Sequence, residues 1–213
     1  MWIKNQGPDD DPIIADLYDK MHGRVVPMLD VFTLKPPLLK AVVALTQQSS
    51  FGGTKLGRYR EELIAAYVCH LQRCRLCTVS HSRQLLSVSG KPKEWVRDVL
   101  TRGPEADLGE QERAILRFSA KMTRHANEMT QQDVQTLRDA GLDDEAILDV
   151  AAVAAFYNWV PRIIGAFGLT ISQRQSEWAE YIGYDPSGAE PERTSTEQPG
   201  AYDFVQDQAR LWR

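Results

Sequence analysis

The sequence predicts an all-α fold, and three features of the chain indicate it. Apolar residues recur at helical spacing from about residue 13 to residue 182, in segments that Pro and Gly interrupt. The period-2 alternation between Asn-Gly or Asp-Gly turns that marks β-hairpins is missing. Hydrophobic residues form 43% of the 213 positions and charged residues 25%, which is typical of a globular protein. We therefore expect a single type of secondary structure, packed as a helical bundle.

The expected helices follow one another with short loops between them. Prolines open the segment 38–48, because the N–H that Pro lacks has no partner in a first turn anyway. Glu61 and Glu62 are expected at the start of the next helix, where the helix dipole favours carboxylates. Thr130 is predicted to cap a later helix and Gly141 to end it. The expected helices are 13–21, 38–48, 60–70, 74–88, 94–100, 108–122, 131–140 and 143–168.

The segment 143–168 is apolar on nearly all sides, which is typical of a buried central helix or a subunit contact. Pro161 lies inside it and is expected to kink or divide it. We expect three parts in the chain: an N-terminal extension with a short helix (1–35), a helical domain (36–184), and a flexible linker with a C-terminal docking helix (185–213).

Charge and hydropathy argue against several classes of function. The net charge of −4 and the scattered Lys and Arg residues show no basic surface for nucleic acid. Uninterrupted apolar runs of about 18 residues, as a membrane span needs, are not found. The first residues, MWIKNQGPDDDP, lack the apolar region of a secretory signal. We expect a cytoplasmic protein that binds neither nucleic acid nor membrane.

The three cysteines are too few for a disulfide scaffold, and their spacing is the main chemical signal. Cys74, Cys77 and His81 form C-x-x-C-x-x-x-H, and positions i, i+3 and i+7 of a helix lie on one face. If Cys74 begins the helix, the dipole and the cations Arg73 and Arg75 should lower the thiol pKa values. The histidine could accept a proton or polarise a water.

Other interpretations of these residues remain open at this point. Cys69, Cys74, Cys77 and His81 together could bind zinc, although structural zinc ligands usually come in two separated pairs. An iron–sulfur cluster would need a fourth cysteine. Cys69 is most simply a small buried residue. Glu62 alone would be interpreted as a solvated carboxylate in a first helical turn.

A longer pattern joins these residues: Glu62-Leu63-Ile64, nine further positions, then Cys74, Cys77 and His81. It resembles the alkylhydroperoxidase D and carboxymuconolactone decarboxylase superfamily, in particular its peroxidase-related branch. The likeness covers residues 36 to 182 and includes LGEQERAILRFSAKMTR and the segment that begins with MTQQDVQTLRDAGLDDEAILDV.

This resemblance implies an alkylhydroperoxidase D-like helical bundle that forms homo-oligomers. It implies an enzyme that reduces organic or hydrogen peroxide, with Cys77 as the attacking cysteine, Cys74 as its resolving partner, and Glu62 and His81 as a proton relay. No cofactor or metal is expected, and the reductant would be a thioredoxin-like or lipoyl-bearing protein.

Two positions depart from the family's pattern. Leu76 stands where alkylhydroperoxidase D has a histidine, and Arg73 stands where members often have a glycine. Two other functions therefore stay open: a non-catalytic redox or stress-responsive dithiol protein, and a metal-stabilised helical interaction module.

Overall fold

The protein is described by a computed structural model that covers residues 1–20 and 27–189. Ten α-helices and four short 3₁₀ segments make up the secondary structure of this described part, and it contains no β-strand. The α-helices are α1 (Pro12–Lys20), α2 (Pro27–Asp30), α3 (Pro36–Ser49), α4 (Gly57–Leu71), α5 (Arg75–Ser89), α6 (Lys93–Arg102), α7 (Glu110–Arg124), α8 (Gln131–Asp139), α9 (Asp144–Ala166) and α10 (Ser176–Tyr181).

Helix α4 is the centre of the bundle. It packs against α5, α6, α7 and α9, and its residues 61–69 are all buried. A surface helix buries only one stripe of its circumference, so burial of nine consecutive residues identifies α4 as the helix that the others surround. The carboxylates of Glu61 and Glu62 lie within this buried stretch.

Helix α9 is the long apolar helix that the sequence predicts. Its 23 residues are long and apolar enough for a membrane span, and half of the most apolar stretch is buried inside the protein. That burial is against α4, α7 and α3, as in the core helix of a globular fold. Leu148 on its outer side is 66% exposed, so part of its apolar surface is uncovered in a single chain.

Helix α9 also continues through Pro161, so of the two expected outcomes, a kink or a division, the division does not occur. Proline lacks the N–H that would bond to the carbonyl four residues earlier, that of Tyr157. The side chain of Gln72 donates a hydrogen bond from Nε2 to this carbonyl oxygen at 2.7 Å. A partner from the α4–α5 corner therefore replaces the missing helical bond.

The other predicted helix boundaries are confirmed to within two residues, apart from the start of α4. Thr130 forms a capping box with Asp133, and Gly141 follows α8 with φ of +89°. Helix α4 begins three residues before the predicted start, so Glu61 and Glu62 lie in its second turn rather than its first. The short helices α2 and α10 were not predicted from the sequence.

The N-terminal segment and the C-terminal part of the described chain both pack onto the bundle. Ile14 and Leu17 of α1 share an apolar cluster with α3, and α10 packs against α5. The predicted docking helix at the C-terminus lies outside the described residues, and the three-part division of the chain stays a prediction.

A tight corner joins α4 to α5 and begins the C-x-x-C motif. Arg73 adopts the left-handed conformation there, with φ of +57°, while Cys74 N–H donates to the Cys69 carbonyl at 3.1 Å. A Cβ atom makes this conformation unfavourable by about 1 kcal/mol or more. The position therefore suits glycine, which is the residue that the resemblance leads us to expect there.

We predict that Arg73→Gly raises the free energy of unfolding by up to about 1 kcal/mol, because it removes the left-handed penalty. Arg83→Gly is the matched control, since Arg83 is an exposed arginine in the interior of α5. It should lower the free energy of unfolding by about 1 kcal/mol, the usual cost of an interior helical glycine. Urea unfolding of both variants measures the difference, and equal destabilisation by both would contradict this account of the corner.

Candidate active site

The two adjacent carboxylates of α4, Glu61 and Glu62, contact different parts of the protein. Glu61 is 1% exposed and bonds to the loop before the helix: its oxygens accept from the backbone N–H of Gly52 at 2.6 Å and from the hydroxyl of Thr54 at 2.7 Å. These bonds satisfy its buried charge and fix the loop. Glu61 is thus a structural residue that holds the approach to α4.

Glu62 lies at the centre of a buried charge cluster. Its side chain has no exposed surface, with Oε1 2.6 Å from Arg58 Nη1 and Oε2 2.8 Å from His81 Nδ1. A buried carboxylate is stable only when it is paired. The interpretation of Glu62 as a solvated, dipole-favoured residue is therefore wrong, and the predicted contact between Glu62 and His81 is present.

Arg58 is a member of the cluster that the sequence analysis did not include. It lies one turn before Glu62, and its guanidinium carbon is 4.6 Å from the centroid of the Phe51 ring. Its side chain is 14% exposed, so the ion pair with Glu62 lies largely out of water. The i, i+4 spacing of Arg58 and Glu62 was the available signal, but such pairs on helices are ordinarily surface contacts of small effect.

His81 stands one helical turn from Cys77 on α5, as the i, i+4 spacing requires. The rings of Tyr157 and His81 meet in a T-shaped contact, with the centroids 4.5 Å apart. Ser50 donates a hydrogen bond to the Tyr157 hydroxyl at 3.1 Å, and burial raises the pKa of this tyrosine well above its ordinary value. Tyr157 therefore stays neutral and fixes the ring plane of the histidine, while Glu62 fixes its nitrogen.

The cysteines lie at the start of α5, as predicted. Cys74 is the N-cap residue, and the backbone N–H of Cys77 donates to its sulfur at 3.4 Å. The Cys77 side chain also packs in one cluster with those of Cys74 and Cys69. Cys69 is fully buried, as expected, but it touches the dithiol site rather than lying apart from it.

The expectation that the helix dipole and nearby arginines lower the thiol pKa values is wrong for this reduced state. The hydrogen bond with Cys77 and then burial raise the pKa of Cys74. The hydrogen bond with Cys69, together with burial, raises the pKa of Cys77 well above its ordinary value. Cys77 is only 5% exposed, so loss of hydration adds to the effect of Cys69, and together they outweigh the dipole.

The residues considered for zinc do not form a metal site in this geometry. Within the described residues, no group of three or more His, Cys, Asp or Glu side chains is arranged to hold a metal ion. Nδ1 of His81 is already hydrogen-bonded to Glu62.

Leu76, between the cysteines, packs against two apolar core clusters.

Fold and site together define a class: an all-helical bundle in which a buried Glu–His pair lies one turn from a C-x-x-C motif. Two solved structures share the helical fold at 25% sequence identity. An uncharacterised peroxidase-related protein from Silicibacter sp. TM1040 has a TM-score of 0.70, with 86% of this chain and 99% of that chain covered. An uncharacterised peroxidase-related protein with an alkylhydroperoxidase D core, from Ralstonia eutropha JMP134, has a TM-score of 0.67, with 79% of this chain and 88% of that chain covered.

These neighbours support the likeness of the chain to the alkylhydroperoxidase D-like and carboxymuconolactone decarboxylase superfamily. The fold is shared more widely: the debrominase Bmp8, solved with 2,3,4-tribromopyrrole, has a TM-score of 0.68 at 16% identity, with 85% of this chain and 97% of that chain covered. No protein-family model and no curated protein sequence matches the chain.

The raised thiol pKa values predict slow, strongly pH-dependent alkylation of the reduced protein. Below its pKa, a thiol gains thiolate about tenfold per pH unit, so iodoacetamide should react ever faster from about pH 7 to about pH 9. Cys74, the least buried of the three, should react first. Peptide mass spectrometry over time measures each rate, and a plateau below about pH 8 would show that a depressed pKa governs the site instead.

Proposed function

We propose that the protein is a thiol-dependent hydroperoxidase that reduces organic or hydrogen peroxide through Cys74 and Cys77. The observation that carries the proposal is the buried Glu62–His81 pair, 2.8 Å apart, one helical turn from Cys77. A peroxidatic cysteine needs a base that removes its proton. A thiol that its surroundings keep protonated depends on such a base more strongly than an exposed thiol does.

The first step is attack of the Cys77 sulfur on the O–O bond. His81 accepts the thiol proton, and Glu62 stabilises the imidazolium that forms, because its carboxylate is already aligned with Nδ1. The sulfur bonds to one peroxide oxygen as the O–O bond breaks, and the leaving alkoxide or hydroxide takes the proton back from His81. Cys77 becomes a sulfenic acid, and the peroxide becomes an alcohol or water.

The second step forms the disulfide. Cys74 attacks the Cys77 sulfur, and the sulfenic oxygen leaves as water. A C-x-x-C pair at a helix start is within disulfide reach, and the hydrogen bonds between these residues hold them in contact. We propose a thioredoxin-like or lipoyl-bearing protein as the reductant that returns both thiols, which fits a reducing, cytoplasmic location.

A slow or non-catalytic redox protein is the second candidate. Two observations favour it: Leu76 stands where alkylhydroperoxidase D has a histidine, and both thiol pKa values are raised. Such a protein would form the same disulfide but turn over poorly. Because the debrominase has the same fold, the substrate assays should include a brominated pyrrole beside the hydroperoxides.

We also infer a homo-oligomer, as the resemblance implies. Leu38 and Leu45 on α3 and Leu148 on α9 are 41%, 49% and 66% exposed, and the two helices are neighbours in the bundle. Exposed leucines on adjacent helices favour contact with a second copy of the chain.

Cysteine replacement separates the roles of the three thiols. Cys77→Ser should abolish peroxide consumption, because the attacking sulfur is lost. Cys74→Ser should allow one attack and then leave a sulfenic acid that dimedone traps, as mass spectrometry can show. Cys69→Ser is the control and should keep the rate within a few-fold. Full activity of Cys77→Ser would refute the assignment of the attacking residue.

Replacement of the buried carboxylates tests the relay. Glu62→Gln should reduce the rate of peroxide consumption on the order of 10²-fold, the usual contribution of a positioned proton-transfer group. Glu61→Gln is a matched control, because Glu61 is equally buried but makes its hydrogen bonds to the loop, with Arg58 Nη1 farther away at 3.9 Å. It should lower stability yet keep the rate per folded molecule within a few-fold. Equal rates for the two variants would return Glu62 to a structural role.

A further inference from the structure

A second acid–base pair lies beside the dithiol, at the end of the described chain. The hydroxyl of Tyr184 is 3.0 Å from His70 Nδ1 and 3.3 Å from Thr78 Oγ1. The two rings also meet edge to face, with centroids 5.9 Å apart. Neither residue belongs to the Glu62–His81 relay.

The position of this pair relates it to Cys74. His70 is at the end of α4, four residues before Cys74, and Thr78 is one helical turn after Cys74, with its backbone N–H bonded to the Cys74 carbonyl at 2.8 Å. Tyr184 bridges these two positions, so its hydroxyl lies beside the first turn of α5, where the Cys74 sulfur caps the helix.

Arg75 fixes the segment that carries Tyr184. Its guanidinium donates to the carbonyl oxygens of Asp185 at 2.8 Å and Ser187 at 2.7 Å, and to the Thr170 hydroxyl. The residue next to Cys74 thus holds the chain on both sides of α10 in place. A tyrosine fixed in this way needs no rearrangement to exchange a proton.

The chemistry of the pair suits proton transfer. Burial lowers the pKa of His70, with Arg124 and Arg73 acting in the same direction, so the ring is neutral near pH 7. Burial raises the pKa of Tyr184, the bond to Thr78 opposes this, and negative charge on Cys74 or Cys69 raises it further. The phenol has one proton and two bonded neighbours, so it can donate towards either side.

We propose that Tyr184 and His70 form a second proton-transfer pair that serves Cys74, as Glu62 and His81 serve Cys77. When Cys74 attacks the Cys77 sulfenic acid, its proton passes through Tyr184 to His70. His81, which has taken up a proton from solvent after the first step, protonates the departing oxygen to give water, and His70 releases its proton to solvent. When a reductant's dithiol later displaces Cys74 from a mixed disulfide, the pair returns the proton to the Cys74 thiolate. The proposal rests on the dithiol chemistry above, but not on peroxide as the oxidant.

The test isolates Cys74 as a leaving group in the full-length Cys77→Ser protein. Glutathione disulfide converts Cys74 to a mixed disulfide, and dithiothreitol then releases it, with intact mass as the readout. Tyr184→Phe keeps the ring but removes the hydroxyl, and should slow release on the order of 10²-fold. His70→Gln should slow it similarly. Tyr59→Phe, at a half-buried tyrosine packed on Trp95, is the matched control and should keep the rate.

The pH profile distinguishes proton transfer from a structural role. His70 donates when protonated, so release, corrected for the thiolate fraction of dithiothreitol, should fall as pH rises through the His70 pKa, which lies below 6.5. The charged or titratable groups that face the pair are Arg73, Arg124, Cys69 and Cys74. This dependence should vanish in His70→Gln and Tyr184→Phe.

Each outcome decides the proposal. Equal rates in Tyr184→Phe and Tyr59→Phe, or an unchanged pH profile, would overturn it, as would failure of Cys74 to accept glutathione. If release depends on Tyr184 while the wild-type protein consumes no peroxide, the pair is real and the peroxidase assignment is the part that fails.

Discussion

The carboxylate of Glu62, which has no exposed surface, is the constraint on which the rest of the site depends. An unpaired carboxylate in the interior of a bundle is strongly destabilising, typically by about 3–5 kcal/mol when a partner is removed. Arg58 and His81 must therefore both reach it, and this requirement fixes the register of α5 against α4. The same register sets Cys77 one turn from the histidine. Stability of the buried charge and placement of the thiol beside a base are two results of one arrangement.

Hydrogen bonding between the thiols and burial both oppose the helix dipole at the dithiol, and together they raise the thiol pKa values. Cys74 caps α5, where the dipole favours negative charge. However, that effect is about 1 kcal/mol or less near a surface, whereas loss of hydration can shift a buried group by several pKa units. The free thiols are consequently in the protonated form before reaction. A site of this kind depends on neighbouring bases at the moment of reaction, which gives Glu62, His81 and the Tyr184–His70 pair their importance.

The sequence was sufficient for local features and insufficient for contacts between distant segments. Helix positions follow from apolar spacing, and the convergence of Cys74, Cys77 and His81 follows from helical geometry. By contrast, Gln72 and Tyr157 are 85 residues apart, and His70 and Tyr184 are 114 residues apart. Such pairs carry no periodic signal, so the continuity of α9 through Pro161 and the second acid–base pair could not be predicted. The expected first-turn position of Glu62 was wrong because Gly57, not Arg60, begins α4.

The most direct test of the account is the intact mass of the reduced protein after alkylation, before and after one equivalent of an alkyl hydroperoxide. The account predicts that two alkylatable thiols disappear together, that peptide mapping identifies them as Cys74 and Cys77, and that dithiothreitol restores both. If all three thiols stay reactive after peroxide, or become reactive only when a chelator removes a metal, the peroxide-driven disulfide is contradicted and the dithiol has another purpose.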